Sequence, residues 1–83
     1  MPGYIFHGRV QGIGLRARVY SMAKNLGLKG YIKNLDNGDV EAVFQGSEGD
    51  IKKIMDYIKS ITYIESIDSF NDNNKYNDFE IKY

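Results

Sequence analysis

No cysteine occurs among the 83 residues, so the chain has no disulfide framework, no thiolate nucleophile and no cysteine-based metal site. A single histidine, His7, cannot build a zinc centre by itself. No run approaches the roughly 18 apolar residues of a membrane span. Nor does a basic and then apolar signal segment open the sequence, and a cytoplasmic protein is expected. Acidic residues are missing from the first 35 positions, where Arg9, Arg16, Arg18, Lys24, Lys29 and Lys33 give a charge of +6; all 11 acids fall after Leu35, against five lysines. The net charge of zero therefore hides a basic N-terminal half, whose field favours an anionic ligand. The length fits one domain, residues 1–83, with a small core in which every apolar face has to be used.

What is present is organised around one glycine-punctuated stretch, Gly8-Arg9-Val10-Gln11-Gly12-Ile13-Gly14-Leu15-Arg16. Glycines let backbone N–H groups converge on one point without an obstructing Cβ. The first N–H groups of a following helix are unpaired and aimed at that point, where the helix dipole favours negative charge. Arg16 falls in the first turn of that helix, where a cation opposes the dipole. A bound anion explains its position, because the guanidinium fork matches two phosphate oxygens.

The remaining pattern reads as alternating elements. Residues 3–10 are rich in strand formers. Leu15, Val19, Met22, Ala23 and Leu26 then recur on one helical face, with Gly27 placed as a C-cap. Residues 29–34 predict a second strand, Asp36-Asn37-Gly38 a tight turn through positive φ, and Val40, Ala42 and Phe44 a third strand. Ser47 is placed to cap a second helix carrying Ile51, Ile54, Met55, Ile58 and Ile61. Residues 63–70 predict a fourth strand, residues 71–77 a polar loop with nothing to bury, and Phe79, Ile81 and Tyr83 a short last strand. The order β-α-β-β-α-β with an added strand predicts an α+β ferredoxin-like sandwich, an antiparallel sheet with two helices on one face. If the third strand lies between the first two, the loop after the first strand and the end of the second stand about 10 Å apart, so Arg16 and Asn34 can converge on one ligand.

Other chemistries fit less well. Gly12 to Ala17 matches a dinucleotide-binding G-x-G-x-x-A pattern, but the second strand runs into a hairpin and no acid ends it. The Walker pattern fails for want of a Gly-Lys-Ser/Thr. RNA-recognition modules share the topology but need a basic, aromatic third strand; here that strand is acidic with one aromatic, so no nucleic-acid partner is expected. His7 as a general base lacks an orienting carboxylate within the first 35 residues, and a strand residue facing solvent or a loop is expected.

The loop at residues 8–16 and a second stretch, Gly30-Tyr31-Ile32-Lys33-Asn34-Leu35-Asp36-Asn37-Gly38-Asp39-Val40-Glu41, together resemble the two signature motifs of the acylphosphatase family. The terminal Phe79-Glu80-Ile81-Lys82-Tyr83 fits as well, so the resemblance covers essentially the whole chain. Ile13 and Leu15 depart from the pattern, standing where valine and phenylalanine are usual. The resemblance implies a ferredoxin-like fold and a hydrolase of the carboxyl–phosphate anhydride of acyl phosphates. It carries over Arg16 as the phosphate-binding arginine and Asn34 as the residue that positions water. Gln11, Gly12, Ile13, Gly14 and Leu15 become the backbone cradle. No metal or cofactor is implied; the expected ligands are an acyl phosphate and inorganic phosphate, with a monomer and no membrane partner. A binding module that kept the cradle without turnover, or a relative of the acylphosphatase-like domain of larger carbamoyl-transfer enzymes, is the second reading.

Overall fold

The computed structural model describes residues 2–12 and 14–83. The chain runs β1 (Pro2–Arg9), α1 (Leu15–Leu26), β2 (Lys29–Asn34), β3 (Val40–Gln45), α2 (Glu48–Ile61), β4 (Tyr63–Asn71) and β5 (Phe79–Lys82). The strands form one sheet in the order β4-β1-β3-β2-β5. β1 pairs antiparallel with β3 and β4, and β2 antiparallel with β3. The sheet is mixed and not wholly antiparallel, because β5 pairs parallel with β2. The chain reaches β5 from the far edge of the sheet, through residues 72–78, and therefore enters alongside the start of β2.

Both helices lie on one face. Val19 and Ala23 of α1 and Ile54 and Ile58 of α2 share a core with Phe6, Ile32, Ala42 and Phe44, which alternate onto that face of the strands. Phe79 stacks on Phe44, with ring centroids 5.7 Å apart and planes 7° from parallel. Each fully buried Val, Ile or Phe side chain contributes roughly 1.5–3 kcal/mol of transfer free energy. Val10, expected as the last residue of the first strand, is past its end but has no exposed surface, which roots the following loop in the core.

Two local expectations need correction. In the turn after β2 only Gly38 takes a positive φ, 95°. Asn37 shapes the turn with its side chain, its Oδ1 accepting from the Asp39 N–H at 3.0 Å. The polar segment after β4 is indeed irregular, but it does bury groups. It crosses the sheet face opposite the helices, where the Tyr76 ring packs 5.7 Å from that of Tyr31 and Gln45 Nε2 donates to the Asn74 carbonyl at 2.7 Å. Its polar composition hid this role because its one large ring, Tyr76, meets a partner 45 positions away in the chain.

Candidate active site

The two helices begin in opposite ways. Ser47 caps α2, its hydroxyl accepting from the Asp50 N–H at 3.1 Å, and Glu48 and Asp50 place negative charge in the first turn. α1 starts from Gly14, which has no side chain, makes no side-chain cap hydrogen bond and has no acid in its first turn. Its leading N–H groups are left for an external acceptor. Gly14, at φ 71°, and Gly12, at φ 83°, take left-handed backbone conformations that side chains with a Cβ rarely adopt, and so turn the loop away from β1 and into the helix.

Arg16 is half-buried at this unsealed helix start. Among the described residues it has no carboxylate partner; its guanidinium lies over the Tyr83 ring, 5.0 Å from the centroid. Asn34 ends β2, and β3 separates β2 from β1, so the topology places the strand end beside the loop as the strand order requires. Arg16 and Asn34 line the same open cleft, of about 590 Å³, with Gln11, Gly12, Gly14 and Leu15. That volume is in the range of small-molecule sites. Leu15 itself is buried and anchors the helix start. Ile13 lies outside the described residues.

The sequence left three features of this site unread. Ile81 and Tyr83, from the end of the chain, form part of the cleft wall. Their signal is the parallel pairing of β5 with β2, which brings Ile81 opposite Ile32. The Gln11 side-chain amide is committed to the protein: its Nε2 donates to the Leu35 carbonyl at 3.0 Å and the Asp39 carbonyl at 2.8 Å. Gln11 thereby staples the loop after β1 to the turn after β2. His7, on the sheet face opposite the helices, does meet carboxylates, although none lies in its own third of the chain. Its Nδ1 is 2.7 Å from Asp39 Oδ2 and its Nε2 is 2.8 Å from Asp68 Oδ2.

A model of the acylphosphatase family matches residues 3–81. An acylphosphatase of Picrophilus torridus is 74% identical over 80 residues, covering 96% of this chain and 99% of its own. The chain belongs to the acylphosphatase family. The fold agrees, since the crystal structure of an acylphosphatase from Bacillus subtilis superimposes with a TM-score of 0.84 at 30% identity over the full length of both chains. An acylphosphatase from Coxiella burnetii gives a TM-score of 0.85 at 27% identity, covering 98% of this chain and 90% of its own. The ferredoxin-like class expected from the element order holds, and the chain is an enzyme of this family. Among the described residues no helix is long and apolar enough to cross a membrane.

Proposed function

We propose that this chain hydrolyses acyl phosphates at the cleft after β1, with residues 11–15 and Arg16 holding the phosphate and Asn34 positioning the attacking water. The observation that carries the reading is the half-buried Arg16 at an uncapped helix start, in one cleft with Asn34. Water attacks phosphorus, the bond from phosphorus to the acyl oxygen breaks, and its electron pair leaves on the carboxylate. The water proton passes to a phosphate oxygen of the substrate. A carboxylate is stable as a leaving group, so the step asks for positioning and charge stabilisation more than for a general acid. The side-chain amide of Asn34 orients water without changing its charge.

Two outcomes test this reading. A simple acyl phosphate is hydrolysed to carboxylate and inorganic phosphate, and the rate survives exhaustive chelation, because the charge on the phosphoryl group is met by Arg16 and backbone N–H groups. Loss of the rate in EDTA with recovery on adding a divalent ion contradicts the mechanism. A folded protein with no turnover favours a binding module instead. Inorganic phosphate, which carries the same group as the substrate, also stabilises the fold. At about 100 times its Kd it adds roughly 2.7 kcal/mol. For a domain of this size that raises the melting midpoint by on the order of 10 °C over chloride at matched ionic strength. An unchanged midpoint contradicts the cradle.

A further inference from the structure

His7 is outside the cleft, yet a continuous chain of contacts leads from it to the loop. Its imidazole meets Asp39 Oδ2 at 2.7 Å. Asn37 Nδ2 donates to the same carboxylate oxygen at 3.0 Å, and the Asp39 N–H donates back to Asn37 Oδ1. The Asp39 carbonyl accepts from the Leu35 N–H at 2.8 Å and from Gln11 Nε2 at 2.8 Å. Gln11 is the first residue of the stretch that turns into α1. Asp39, with only 14% of its side chain exposed, is therefore the joint between the imidazole and the loop.

We propose that His7 is a positioning residue for the phosphate site, fixing the start of the loop after β1 through Asp39 and Gln11. The inference rests on the phosphate role proposed above for that loop. Protonated imidazole donates from both nitrogens, one to Asp39 and one to Asp68. Neutral imidazole has a single N–H for two carboxylates, and the joint loosens. On this sheet face β3 also carries Glu41, which accepts from the Tyr31 hydroxyl at 2.6 Å and lies 3.9 Å from Lys33; β2 carries Lys29 opposite Gln45, β5 carries Glu80 and Lys82 opposite Tyr31 and Lys33, Arg9 stands two residues along β1, and Glu65 falls at the irregularity in β4. Hydrogen bonds from Asp68 and then Asp39 raise the His7 pKa above the usual 6.5. The sign follows: the ordering is complete below the ordinary histidine value and is lost as pH rises through the raised one.

Linkage makes the test direct. If protonation of His7 tightens the phosphate site by some factor, phosphate must raise the His7 midpoint by the logarithm of that factor. His7 is the sole histidine, so its ring protons give one unambiguous signal in an NMR titration. In saturating inorganic phosphate the midpoint moves up by about 0.7 unit relative to chloride at matched ionic strength, for a coupling of about five-fold, the low end for linked sites. In Gln11→Ala the increment vanishes, whereas a through-space effect of the anion survives that change. Kinetically, His7→Gln raises KM for acyl phosphate more than it lowers kcat at pH 6, and removes the KM inflection at the parent's midpoint. Calorimetry on the same samples separates the two readings. Phosphate binding with an unmoved midpoint, or an increment that persists in Gln11→Ala, overturns the role of His7 and leaves the site intact. Absence of phosphate binding in the parent overturns both.

Discussion

Replacing Arg16 with glutamine lowers turnover of an acyl phosphate by on the order of 10³-fold or more, the range for arginines that stabilise phosphoryl transfer. The loss arises because, among the described residues that line the cleft, Arg16 alone carries a positively charged side chain. Arg16 has no carboxylate partner among the described residues, and its helix start has no cap, so its charge is directed to the cleft. Glutamine keeps a planar polar end but neither the charge nor the fork. Phosphate is held in both ground and transition states, so affinity falls together with kcat, which steady-state kinetics reads as a rise in KM and a drop in kcat. The fold survives, since Arg16 is no part of the apolar core. A variant with parental kcat and KM contradicts the assignment.

Asn34→Ala separates the second role from the first. It removes a group assigned to water, so kcat falls by on the order of 10² to 10³, as for loss of one oriented amide donor, while KM changes little. Backbone pairing of Asn34 with Val40 does not depend on the side chain, and β2 stays in register. Turnover at the parental rate in this variant removes Asn34 from the mechanism.

Much of this molecule is legible in the sequence because its strongest signals are local. The spacing of Leu15, Val19 and Ala23 and of Ile54 and Ile58 predicts two amphipathic helices, and those five residues are buried in one core. Gly27 follows α1 at φ 71° with its N–H turned back on the Lys24 carbonyl, and Ser47 caps α2. The convergence of Arg16 and Asn34 on one cleft follows from β3 inserting between β1 and β2. What could not be read depends on long-range placement. His7 meets carboxylates 32 and 61 positions away, so a search of its own neighbourhood finds none. Gln11 is a backbone cradle residue by motif, but its side chain is spent on two carbonyls 24 and 28 positions distant. The parallel pairing of β5, which carries Ile81 and Tyr83 to the cleft, requires knowing that residues 72–78 cross the whole sheet.

The division of labour between the two side chains is tested most directly by isothermal titration of inorganic phosphate into the parent, Asn34→Ala and Arg16→Gln under one buffer. Phosphate binds the parent and Asn34→Ala with the same affinity within about two-fold, and binds Arg16→Gln at least about ten-fold more weakly, consistent with loss of a charge-assisted contact. Equal affinity of the parent and Arg16→Gln, or loss of binding in Asn34→Ala alone, would contradict the assignment of phosphate to Arg16 and of water to Asn34.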